Sequence, residues 1–203
     1  MSTSSVPARY ADTSLFSYHV DAAFYDRLDH YRDKFGEDWP APEAATHAQA
    51  TAFLVREARL IDEGRFNDWL DLFVDDCLYW VPVISGGGEP RTEVSHAFDD
   101  RRRLTDRVYW LRTGLAYSQI PASRTLRIVG NVEVLEDVGG DTLVRSNFII
   151  NEFRAGVTKT YSGWYGHVLT RDGDGDGDGW KIRLKQANLL DSEQYHENLT
   201  IVF

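Results

Sequence analysis

The chain has 203 residues, 42% apolar and 27% charged, with a formal net charge of −10. That is the composition of a globular protein with one core, or one core and an extension, and the acidic balance argues against nucleic acid or an anionic membrane as partner. No apolar run approaches a membrane span, the opening MSTSSVPARYADTS lacks the apolar centre of a signal peptide, and Cys77 is the only cysteine, so the chain forms no internal disulfide and reads as cytoplasmic.

Residues 1–42 read as a polar extension punctuated by EDWPAP, and residues 43–203 as the body. Inside the extension, Phe24, Leu28, Tyr31 and Phe35 recur at spacings of four, three and four, which predicts a helix. The body opens with a second helix. Thr46 is its expected N-cap, Gly64 its stop, and Ala50, Phe53, Leu54, Leu60 and Ile61 its apolar face. A short helix is expected over Phe66 to Phe73. A strand, CLYWVPVI, follows, and its Pro82 marks an edge or bulge. SGGGEP is a loop. The stretch DDRRRLTDRVYWLRTG predicts a helix with Leu104, Val108, Leu111 and Leu115 on one side. From Ser123 the period changes to two, and RTLRIVGNVEVLED, TLVRSNFIINEFRA, TYSGWYGHVLTR and WKIRLKQANLL predict four strands. Helices first and an antiparallel meander after them give an α+β fold, helices packed on one face of a curved sheet.

RDGDGDGDGWKI, Arg171 to Ile182, resembles the start of a calcium loop. Asp172, Asp174, Asp176 and Gly177 fit the first positions, but the twelfth holds Arg183 where a bidentate Glu belongs, and both flanks read as strands. A hairpin loop is the favoured reading, with weak divalent binding by the four carboxylates as the alternative. The six histidines are scattered, with no H-E-x-x-H, no phosphate loop and no G-x-S-x-G. One cysteine is too few for a Rieske cluster within this chain. Asp99, Asp100 and Asp106 offset the arginines of DDRRRLTDR, so that segment reads as a salt-bridged helix or a protein interface. With one face of that helix used by leucines, Arg102, Tyr109 and Trp110 are left as candidates for a subunit interface.

Glu57 interrupts an apolar helix face, and a buried carboxylate needs a partner. Alternation from Val134 and Val132 back through Ile128 and Leu126 places Arg124 on one side of the first meander strand, which predicts a structural Glu57–Arg124 ion pair. The functional rival is a perturbed acid or base in a cavity.

FLVREARLIDEGRFNDWLDLFVDDCLYWVPV, DDRRRLTDRVYWLRTGLAYSQIPASRTLRIVGNVEV, VRSNFII and the ending LLDSEQYHENLTIVF together resemble the small (β) subunit of Rieske-type aromatic-ring-hydroxylating dioxygenases, over roughly residues 47–203. The resemblance implies a cystatin-like cone of the ketosteroid-isomerase and scytalone-dehydratase type. It implies a scaffolding role with no catalytic, cofactor-binding or metal-binding residue in this chain. It implies a large (α) oxygenase subunit as partner, carrying a Rieske [2Fe–2S] cluster and mononuclear Fe(II), commonly in an α3β3 hexamer supplied with electrons by a ferredoxin and reductase. The competing reading is a stand-alone dehydratase or isomerase with the same cone, using Asp75, Tyr79, His96 or Asp99.

Overall fold

The computed structural model describes residues 20–113, 119–171, 179–196, 199 and 201–203. Along the chain come α1 (Ala22–Phe35), α2 (Ala44–Asp62), α3 (Phe66–Leu70), β1 (Phe73–Pro82), β2 (Ser95–Asp100), α4 (Arg101–Thr113), β3 (Arg124–Val138), β4 (Asp141–Arg154), β5 (Val157–Arg171) and β6 (Trp180–Leu189). The strands form one curved sheet in the order β2-β1-β6-β5-β4-β3. Every pairing is antiparallel except β1 with β6. This is the expected α+β cone, except that the helices lie on both faces of the sheet rather than on one. Among the described residues no helix is long and apolar enough to cross a membrane.

α2, α3 and α4 cover the inner face of the sheet. The core there joins Phe53, Leu54, Leu60 and Ile61 of α2 to Phe148, Ile150, Tyr165 and Ile182 of the strands. The outer face carries a second, smaller core. α1 lies on it with Phe24, Leu28, Tyr31 and Phe35, the four residues the spacing selects, against Leu78, Trp80, Leu143, Val168 and Leu184. Asp21 caps that helix by accepting from Phe24 N–H at 2.9 Å. Two bonds fix its seat: Tyr31 Oη donates to Asp141 Oδ2 at 2.6 Å, and Arg145 Nη1 donates to the Phe35 carbonyl at 2.7 Å. A Cβ at position 166 would stand 2.9 Å from the Phe35 ring, so Gly166 lets the helix approach the sheet.

Several boundaries differ from expectation. α2 starts at Ala44 with Glu43 as a cap that makes no side-chain bond, not at Thr46. It ends as expected before Gly64, whose φ is +70°. α3 stops at Leu70 because the chain turns into β1 at Phe73, where Ile182 N–H donates to the Leu72 carbonyl at 2.7 Å. β2 was not legible. Its SHAFDD holds the two aspartates expected to open the next helix, and Asp100 ends the strand while its Oδ1 accepts from Arg103 N–H at 2.8 Å. In α4, Leu104 and Val108 are buried and Leu111 packs partly against them, while Leu115 lies outside the described residues. β5 and β6 pair up to Arg171 and Trp180, so the Asp-Gly run joins two antiparallel strands, and residues 172–178 themselves lie outside the described residues.

The facing of β3 is a correction. Its register shifts between Gly130 and Glu133, where Asn131 has φ 51°. A bulge adds one residue and reverses which side chains point inward. Val134 is buried, but on the other side of the bulge Thr125, Arg127 and Val129 turn inward while Leu126 and Ile128 are 58% and 59% exposed.

Candidate functional site

The sheet register aligns one polar row across the inner face. Asp99 of β2 pairs with Tyr79 of β1, Tyr79 with Lys185 of β6, and Lys185 with His167 of β5. Above the row α2 places Glu57 and α3 places Trp69. Glu57 Oε1 accepts from Lys185 Nζ at 2.7 Å and from Trp69 Nε1 at 3.0 Å, and Oε2 lies 3.1 Å from His167 Nε2. All four side chains are buried. The Lys185 ammonium also stands 4.6 Å from the centroid of the Tyr165 ring.

Charge and burial compete here. Burial pushes the Glu57 carboxyl up, but the Lys185 ammonium and then His167 overcome it and hold the group below the usual carboxylate range. Burial lowers the Lys185 ammonium and the His167 ring from their ordinary values, with Glu57 opposing in both cases. His167 is thus neutral at pH 7, its Nε2 donating to Glu57, and Nδ1 has no partner among the described residues. Burial pushes the Tyr79 hydroxyl up to about 12.

Asp99 and Tyr79 of the same row are also engaged. Arg107 Nε of α4 donates to Asp99 Oδ2 at 2.6 Å, and Phe203 N–H donates to Tyr79 Oη at 3.0 Å. Ile201, Val202 and Phe203 are buried in the inner core, the Phe203 ring meeting Tyr161 edge-on at 5.4 Å. Arg127 holds this segment by donating from Nη2 to the Val202 carbonyl and from Nη1 to Asp62. Asp62 in turn accepts from Arg127 N–H at 2.7 Å and Thr125 Oγ1 at 2.8 Å, so α2 blocks the open edge of β3. Grooves of about 550 and 540 Å³ lie elsewhere, one beside α1 at Tyr31, Asp141 and Arg183, the other beside α2 at Arg56, Arg59 and Arg65.

The Glu57–Arg124 pair is therefore overturned. Glu57 is buried as expected, but its cations come from β6 and β5. Arg124 is exposed on the opposite face, its guanidinium 4.9 Å from the centre of the Phe153 ring, because the bulge reverses the facing of β3. Of the residues proposed for a stand-alone enzyme, Tyr79 and Asp99 lie on the inner row, both engaged. Asp75 is exposed on β1, and His96 on β2 has Nε2 at 2.9 Å from the Ser192 carbonyl. On α4, Tyr109 and Trp110 are exposed, while Arg102, one turn and more before them on the same side, is half-buried. Arg102 pairs with Asp106 at 3.0 Å, and the Tyr109 and Trp110 rings meet edge-on at 6.0 Å.

Glu57 and His167 invite a test for metal. Among the described residues no group of three or more His, Cys, Asp or Glu side chains could hold an ion. At Glu57 the Lys185 ammonium already occupies the carboxylate at 2.7 Å, where it would repel a cation. Sequence reasoning missed Lys185, His167 and Trp69. The only signal was the buried acid itself.

The cone agrees with comparisons to known proteins. A model of the ring hydroxylating beta subunit matches residues 56–195. Benzoate 1,2-dioxygenase subunit beta of Acinetobacter baylyi is 30% identical over 131 residues, covering 62% of this chain and 78% of the relative. The small oxygenase component of the p-cumate 2,3-dioxygenase system of Pseudomonas putida is 32% identical over 123 residues, covering 58% of this chain and 67% of the relative. The crystal structure of the benzoate 1,2-dioxygenase beta subunit of Burkholderia mallei superposes with a TM-score of 0.60 at 25% identity, over 81% of this chain and all of that one. The chain belongs to the ring-hydroxylating beta subunit family, the small subunits of aromatic-ring dioxygenases.

Proposed function

We propose that this chain works in the cytoplasm as the scaffold of a multicomponent aromatic-ring dioxygenase. It holds a large subunit that carries the Rieske [2Fe–2S] cluster and mononuclear iron, in an α3β3 hexamer fed by a ferredoxin and reductase. The observation that supports the reading is the engaged polar row: Glu57, Lys185, His167 Nε2, Tyr79 and Asp99 are each bonded to one another, to Trp69, to Arg107 or to the backbone of Phe203. A stand-alone dehydratase or isomerase of this fold needs such groups free to face a substrate. Chemistry on the aromatic ring is supplied by the large subunit's metal centres, and this chain contributes position and rigidity.

The exposed side of α4 is the proposed contact with a neighbouring subunit. Tyr109 and Trp110, 53% and 50% exposed, are residue types that concentrate binding energy when an interface covers them. The test is expression of the chain alone and together with a candidate large subunit, followed by iron and acid-labile sulfide analysis and assay on an aromatic panel beginning with benzoate, p-cumate and toluate. The expected result is cluster and turnover only in the co-expressed complex. Stoichiometric iron in the single chain, or turnover by it, would overturn the reading.

A further inference from the structure

α4 has a thin apolar anchor. Of its 13 residues Leu104 and Val108 are buried, and Leu111 packs partly against the same core. Spaced four and three apart, the three share one narrow arc of the helix. Such an arc resists lifting of the helix from the sheet better than it resists roll about the helix axis. Roll matters here, because the opposite side carries Tyr109 and Trp110, and the direction in which those two exposed rings point depends on it.

Arginines border the arc on both sides. At about 100° per residue, Arg101 and Arg112 fall on one flank of Leu104 and Val108, and Arg107 falls on the other. Arg101 Nη1 donates to the Leu70 carbonyl at 2.6 Å and to the Phe73 carbonyl at 3.0 Å, which ties the first turn to the end of α3 and the start of β1. Arg112 Nη1 donates to Asn67 Oδ1 of α3 at 2.9 Å, which ties the last turn. Across the helix, Arg107 Nε donates to Asp99 Oδ2 at 2.6 Å, and its guanidinium stands 5.6 Å from the centre of the Tyr79 ring. Bonds from a guanidinium to a carboxylate are among the stronger and more directional ones. Asp99 belongs to β2, which runs into α4 without a linker, since Asp100 ends the strand and Arg101 opens the helix. We infer that Arg107 and Arg112 are positioning residues of the subunit contact: they set the roll of α4 and so aim Tyr109 and Trp110 at the neighbouring subunit without touching it themselves. The inference rests on the reading of α4 as that contact.

A double-mutant cycle tests it, with assembly of the chain and its large subunit measured by sedimentation velocity and the melting temperature of each isolated chain measured alongside. Arg107→Gln should weaken assembly about tenfold beside an intact Trp110 and less than about twofold beside Trp110→Ala, because the ring it aims is then gone. A merely structural role would weaken assembly equally in both backgrounds. If Arg107→Gln melts early, Arg112→Ala decides by the same cycle, since that side chain is exposed and its removal gives up the bond to Asn67. Equal weakening in the two backgrounds, or unchanged assembly of the folded variants, overturns the inference. Assembly untouched by Trp110→Ala itself is a different result: it removes α4 as the contact, and the inference falls with it.

Discussion

The Glu57 carboxylate lies 2.7 Å from the Lys185 ammonium, with both side chains shut away from solvent between α2 and the centre of the sheet. Their separation in sequence is large, so the pair forms only when helix and sheet dock. Removing one member of a buried pair costs about 3–5 kcal/mol, because the survivor stays desolvated. Lys185→Met should therefore destabilise the isolated chain by about that much in urea unfolding. Glu57→Gln with Lys185→Met together should cost clearly less than the sum of the single changes. Additive costs would show that the two groups are not coupled.

His167 gives the fold a pH dependence whose sign follows from its burial. The ring's pKa in the fold is below its ordinary value, so below about pH 6.5 an unfolded chain takes up a proton that the folded one refuses. Stability then falls as pH drops through the window between the two values, by up to about 1.4 kcal/mol per pH unit. Glu57 adds to this at lower pH. Its folded pKa is depressed, so its contribution is full above about pH 4.3 and is lost below it. Urea unfolding between about pH 7.5 and 5 should show the slope, and His167→Gln, whose amide can still donate to Glu57, should flatten it. An equal slope in the variant would assign the dependence to other groups.

Both errors about this site have one physical cause. Strand alternation was counted as if unbroken, but β3 bulges at Asn131, and the register of β6 shifts against β5 and β1. In β6, Ile182 belongs to the inner core and Leu184, only two residues on, to the outer one. Unbroken alternation groups Lys181, Arg183 and Lys185 as one solvent face, whereas the shift turns Lys185 inward. What depended on local periodicity was legible: α1 from its spacing, α2 with its buried Glu57, and all four meander strands. What depended on register, namely the partner of Glu57 and the facing of Arg124, was not.

Asp62 secures two things at once. Its carboxylate takes the Arg127 backbone N–H, the Arg127 guanidinium and the Thr125 hydroxyl. Asp62→Ala should cost about 3 kcal/mol or more, since it leaves a buried guanidinium short of its counter-charge. It should also uncover the β3 edge and raise light scattering at high protein concentration. A loss below about 1 kcal/mol with no scattering would mean that Arg127 is held by the Val202 carbonyl alone.

Trp110 separates interface from core. Its ring is half exposed on α4 in the isolated chain. Trp110→Ala should leave the melting temperature nearly unchanged and weaken assembly with the neighbouring subunit by about tenfold, read by sedimentation velocity. Unchanged assembly with a less stable single chain would place Trp110 among the packing residues.

The most direct test of the account is turnover by the purified chain, alone and after mixing with its large subunit, on both an aromatic panel and dehydratase or isomerase substrates. The account predicts no product from the chain alone, cis-dihydroxylation only from the mixture with electron donors present, and retention of that activity in a complex built with the Glu57→Gln chain once it is folded. Product formed by the chain alone, abolished by Glu57→Gln without loss of stability, would contradict it.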